Sequence, residues 1–146
     1  SKLRDARINI ALGTDGAASN NRLNGFAEMQ AAALLAKLES GDPAALSASE
    51  AIRMATLDGA RALGLDPITG SLEAGKSADF IAVDMSDVHM APNHQIESNI
   101  VYAASGNEVT HSWIAGKNAV KNGQLQSLDS DALRRKAADW CAKLSA

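Results

Sequence analysis

Cysteine is nearly absent: the 146 residues contain one, Cys141, so no disulfide can form within the chain. That fits a reducing compartment, and a cytoplasmic location is expected. Long apolar runs are missing as well. The longest, from Ala31 to Ala36, is far too short to cross a bilayer. Residues 1–7 are charged, and no apolar stretch of the length a signal peptide needs follows them. No excess of basic charge exists either. A net charge of -3 gives no electrostatic reason to expect nucleic acid or an anionic membrane as partner.

Several catalytic signatures are also missing. His89, His94 and His111 form neither an H-x-H pair nor an i, i+4 pair, so their spacing does not describe a zinc site. Surface or structural roles are expected for all three. Ser71 and Ser105 adjoin glycine, but neither lies in a G-x-S-x-G elbow. The stretch "GSLEAGKSADF", residues 70–80, lacks the spacing of a phosphate loop and reads as a turn entering a strand. Glu28 reads as a solvated helix carboxylate. Cys141, late in a helix, reads as a packing residue.

What is present is an ordinary globular composition, 46% hydrophobic and 21% charged, in a chain long enough for one core. Residues 7–13 alternate as a buried strand does. An amphipathic helix is expected over residues 23–38, with Phe26, Met29, Ala33, Leu34 and Lys37 on one stripe. A second is expected over 47–63, opened by the capping box Ser47-Ala48-Ser49-Glu50 and stopped by Gly64. Strands follow over 79–84 and 109–114, the latter joined by a Gly116-Lys117 turn to residues 118–121. Residues 96–104 read as a short helix or coil. A helix from Asp129 to Leu144 should pack Leu133, Ala137, Trp140 and Leu144. A lone strand of parallel type needs neighbours on both sides, and none is available before residue 60. Partners from outside these residues are therefore expected.

The strand over 7–13 runs into "GTDGAASNN", and Asp15 in its middle has two readings. Asp-Gly is a common turn pair. A carboxylate where a barrel strand ends can equally point into an active site as a metal ligand or general base. Ser19, Asn20 and Asn21 would then line the rim or cap the next helix, capping being the simpler role. One carboxylate cannot hold a catalytic metal unaided.

"ALGTDGAASNN", "EMQAAALLAK", "SASEAIRMATLDGARALGL", "GSLEAGKSADFIAVD" and "VYAASGNEVTHSWIAGKNAVKNG" together resemble the amidohydrolase superfamily. They are most similar to its 5-methylthioadenosine/S-adenosylhomocysteine deaminase branch. The resemblance implies an α/β fold: the C-terminal end of a (β/α)8 barrel, half of a composite β-sandwich, and a terminal helix. Residues 1–65 would belong to the barrel, with 7–13 as its eighth strand. Residues 66–128 would be the sandwich half, and 129–146 the terminal helix. Asp15 would be the family's metal-binding and catalytic aspartate, beside a divalent zinc or iron. It would take a proton from the attacking water and pass it to the departing ammonia. The histidine ligands, the substrate-binding glutamate and the first sandwich strands are absent from these 146 residues. A fragment inactive on its own is therefore expected, from an enzyme that acts on a small nucleoside and assembles as a homo-oligomer. Chlorotriazine or guanine hydrolysis, or a non-catalytic module that completes a partner's barrel or sandwich, remain the alternatives.

Overall fold

The amide of Asn24 starts the first regular element. Its side-chain oxygen accepts the Phe26 and Ala27 N–H groups at 3.0 and 3.2 Å, two donors that no helical carbonyl reaches. In the computed structural model, which describes residue 3 and residues 6–144, helix α1 then runs Gly25–Ser40 and ends at Gly41, φ 67°. That left-handed position suits glycine. Met29 and Ala33 are buried, with Phe26 packed beside them. Leu34, expected on the same stripe, is 52% exposed. Lys37 folds back so that its ammonium donates to the Ala45 and Leu46 carbonyls at 2.6 and 3.1 Å.

Helix α2, Ala48–Ala55, opens on the expected capping box. The Ser47 N–H donates to Glu50 Oε2 at 2.8 Å, and the Glu50 N–H returns to Ser47 Oγ at 3.4 Å. The single helix expected over 47–63 breaks at Thr56, φ −122° and ψ −94°, and restarts as α3, Leu57–Ala62. Two competing bonds accompany the break. The Met54 carbonyl accepts the Leu12 N–H at 3.1 Å, and the Thr56 hydroxyl donates back to the Ile52 carbonyl at 2.8 Å. Helix α4, Ile96–Tyr102, adds Val101. Met29, Ala33, Leu46, Ala48, Ala51 and Val101 form the core, with Leu12 and Ile52 against it.

The sheet is a four-stranded antiparallel meander in the order β1 (Phe80–Val83), β2 (Val109–Ile114), β3 (Lys117–Lys121), β4 (Gln124–Leu125). Phe80 pairs with Trp113 across β1 and β2, and their rings stack at 4.4 Å. The β2–β3 turn is Ala115-Gly116, φ 49° and 74°, one residue earlier than expected. Asn122-Gly123, φ 50° and 72°, makes a second turn of this kind, into β4. Pairs of positive φ give the turn twist that matches antiparallel strands. Asp79 pins this hairpin: it accepts the Ala115 N–H at 2.6 Å and the Thr69 hydroxyl at 2.8 Å.

Further expectations need correction. Residues 7–13 form no strand; they run without a ladder, held by the Leu12 bond and by Asn9 Nδ2 donating to the Asp58 carbonyl at 2.9 Å. The four strands of the described residues pair among themselves, and none of them pairs with this segment. The terminal helix α5, Ser130–Leu144, forms, but none of its residues is buried. Trp140 is 55% and Leu144 83% exposed, and Cys141 is exposed as well.

The turn "GSLEAGK" locks onto the helices at Gly70, φ 91°. A Cβ there would lie 2.7 Å from Ala60 Cβ and 3.0 Å from Leu57 Cα. Gly70→Ala is expected to destabilise the protein by about 2 kcal/mol or more, overpacking and backbone strain acting together. Thermal denaturation checks this; an unchanged melting temperature would show that the turn does not bear on α3.

Candidate functional site

The segment before Asp15 delivers it to a loop that closes on itself. Asp15 has φ 60°, a conformation that aspartate tolerates better than most residues. Its Oδ1 accepts the Gly16 N–H at 2.6 Å. The Gly16 carbonyl in turn accepts the Ser19 and Asn20 N–H groups at 2.9 and 3.0 Å. The Asp15 carboxylate is exposed. A Cβ built on Gly13 or Gly16 would meet nothing within 4 Å, so the surroundings are open.

Ser19, Asn20 and Asn21 do not cap α1; Asn24 does. Asn20 has another use. Its Oδ1 accepts the Arg22 N–H at 2.9 Å, and its Nδ2 donates to Glu28 Oε1 at 2.8 Å. Glu28 is thus half-buried and bonded, not a solvated helix carboxylate.

A second polar cluster lies where the sheet meets α4. Glu108 is buried, and its carboxylate accepts the Ser105 and Gly106 N–H groups, both at 2.9 Å. The Ser105 hydroxyl donates to it at 3.1 Å, and His89 Nε2 lies 2.8 Å away. Burial alone would raise the Glu108 carboxyl. Hydrogen bonds from its own N–H, from His89 and from Ser105 outweigh this and hold it at about 2. His89 is raised, first by its bond to Glu108, against some desolvation. Sequence reasoning tested Ser105 only as a nucleophile and passed over Glu108. The available signal was the spacing Ser105-Gly106-Asn107-Glu108, the same S-x-x-E as the capping box at Ser47.

Asp15 is not joined by the histidines. His89 is held by Glu108, His94 is exposed, and His111 stacks on Trp113 at 5.4 Å. Among the described residues, no three His, Cys, Asp or Glu side chains come together as a metal site. A catalytic zinc takes three protein ligands, so the donors of the described residues do not by themselves fit a metal. Cavities of about 430 Å³ beside Glu108 and 490 Å³ beside Arg53 are present, and Asp15 lines neither.

The sequence profile of the amidohydrolase family matches residues 2–119. The chain belongs to the amidohydrolase family. Among its amidohydrolase relatives, the 5-methylthioadenosine/S-adenosylhomocysteine deaminase of Teredinibacter turnerae is 51% identical over 139 residues, covering 95% of this chain and 31% of the relative. The enzyme of the same name from Moorella thermoacetica is 49% identical over 128 residues, covering 88% and 30%. An adenosine deaminase from Xanthomonas campestris, crystallised with bound zinc, superposes with a TM-score of 0.94. It is 44% identical, over 98% of this chain and 33% of that one. An atrazine chlorohydrolase from Arthrobacter aurescens, also crystallised with zinc, gives 0.78 at 29% identity, over 97% and 31%. The chain spans about a third of the length of the curated relatives it matches.

The Glu108–His89 pair makes stability depend on pH in a defined window. The depressed carboxyl contributes fully above its ordinary value of 4.5 and loses that contribution as pH falls toward 2. The raised imidazole contributes fully below 6.5 and loses its part as pH rises through the raised value. The pair's contribution is thus greatest between about pH 4.5 and 6.5. His89→Ala is expected to flatten the alkaline side of a plot of melting temperature against pH and to weaken the acid side, where the Ser105 bonds still hold Glu108, whereas Glu108→Gln flattens both. Unchanged profiles in both variants would rule the pair out as a source of the dependence.

Proposed function

We propose that this chain is the C-terminal part of a metal-dependent aminohydrolase that deaminates an adenosine-type nucleoside of the 5-methylthioadenosine/S-adenosylhomocysteine class. The observation that carries this reading is the 51% identity to a deaminase of that name over 95% of the chain, Asp15 loop included. In this reading residues 1–65 complete a (β/α)8 barrel, with residues 7–13 as its last strand. The ladder partners missing here would come from the barrel strands beside it. Residues 66–128 supply half of a composite β-sandwich, and 129–146 the terminal helix. The complete protein works in the cytoplasm as a homo-oligomer on a small molecule, without nucleic acid or membrane as partner.

Asp15, together with histidines from outside these residues, would hold a divalent metal, zinc or iron, which would supply acidity to a bound water at neutral pH. The chain's own part is proton handling. The Asp15 carboxylate takes the proton of the water that adds to the amine-bearing ring carbon. It then returns a proton to the amine as the C–N bond breaks, and ammonia leaves. The Gly16 N–H at 2.6 Å fixes one carboxylate oxygen and leaves the other for this exchange. On this account the 146-residue chain alone turns nothing over.

A second reading, hydrolysis with another leaving group, has support in the likeness to the atrazine chlorohydrolase, at 29% identity. The 44–51% identities to deaminases weigh against it. A non-catalytic module that completes a partner's fold is the third.

In the complete enzyme, Asp15→Asn is expected to lower turnover of 5-methylthioadenosine by about 10²-fold or more, the usual scale for losing a general acid–base group. Its melting temperature should hold, because asparagine keeps both the Gly16 bond and the left-handed backbone. Near-normal ammonia release by this variant would remove Asp15 from the chemistry.

A further inference from the structure

We infer that Glu28 is a positioning residue: through Asn20 it ties the loop that presents Asp15 to the core of the helical layer. The inference rests on the proposed role of Asp15 for its catalytic consequence, but its structural content can be measured apart from that role.

The loop's other bonds are local. Thr14 Oγ1 donates to the Asp15 carbonyl, the Gly16 N–H to Asp15, and the Ser19 and Asn20 N–H groups to Gly16. Such bonds fix the shape of the loop and not its place. The bond from Asn20 Nδ2 to Glu28 Oε1, 2.8 Å and partly buried, leaves the loop and reaches helix α1. That helix is a firm anchor. Met29, next to Glu28, is in the core, and Asn24 caps the helix while its Nδ2 donates to the Ser105 carbonyl at 2.7 Å. The oxygen of the Asn20 amide accepts the Arg22 N–H, so this side chain cannot swing without loss of both bonds.

The chemistry of the pair suits the task. A carboxylate only accepts and a primary amide donates, so the bond is charge-assisted and has one orientation. Glu28 also lies in the first turn of α1, where a negative charge is favoured by the helix dipole. Misplacement of a reacting carboxylate by a fraction of an ångström is enough to slow a proton transfer.

The test is hydrogen exchange on the millisecond scale, read by mass spectrometry on the 146-residue chain. In Glu28→Ala, the Ser19 and Asn20 amides are expected to exchange about tenfold faster, the factor for one lost charge-assisted bond of about 1.4 kcal/mol. Amides around Ala33 and Val101 should keep their rates. Glu28→Gln, whose carbonyl still accepts from Asn20, should restore slow exchange, and Asn20→Ala should reproduce Glu28→Ala. Unchanged loop exchange in Glu28→Ala would overturn the inference. So would equal acceleration in the core, which would make Glu28 a residue of helix stability alone. In the complete enzyme, Glu28→Ala should lower kcat with KM little changed, and Glu28→Gln should recover it. Faster loop exchange with an unaltered kcat would leave the tether standing and remove the proposed role of Asp15.

Discussion

The amide of Asn24 is engaged at both ends, and much of the molecule is referred to it. Its oxygen closes the start of α1; its nitrogen holds the Ser105 carbonyl across 81 positions of sequence. Ser105 is also a donor to Glu108, so the helical layer and the root of β2 meet at one side chain. Close approach makes this possible. Gly106 lies where a Cβ would be 3.4 Å from Phe26 and 3.7 Å from the Asn24 amide itself. Asparagine is suited to the position because one planar group both accepts and donates. Aspartate would cap the helix equally well but could not hold the carbonyl.

The Asp15 loop is placed by the same logic on a smaller scale. Asn20, like Asn24, is an asparagine whose oxygen serves the backbone close by and whose nitrogen reaches outward. Two such amides four residues apart bracket the entry to α1, one directed to the loop and one to the sheet. A carboxylate set on an exposed loop thereby inherits the rigidity of the core without being buried.

Local chemistry was legible in the sequence wherever a bond joins neighbours. The Ser47–Glu50 box, the Gly64 stop and the β2–β3 hairpin were all readable, the last with its turn misplaced by one residue. Long-range bonds were not readable. The break at Thr56 goes with a Met54 carbonyl bonded to Leu12, 42 residues earlier, and no periodicity within α2 records that. Glu28 looked solvated because its partner lies eight residues back in a loop of small residues. The stripe on α5 reads as a packing face from its spacing alone, yet spacing cannot say what it packs against. The strand expected over 7–13 failed for the same reason. Alternation marks a segment fit for a sheet, but a strand exists only when a neighbour supplies the ladder.

The meander of β2, β3 and β4 has a consequence for the order in which the chain gains structure. β2 and β3 each pair with the next strand through a two-residue turn whose residues already favour the required twist. Closing loops that short costs little chain entropy, so this part can organise from nearby contacts as soon as residues 109–125 are available. The Asn24–Ser105 bond spans most of a hundred residues and has to await both ends. The sheet is therefore suited to act as an early template, and the join between it and the helical layer at Asn24 to settle last.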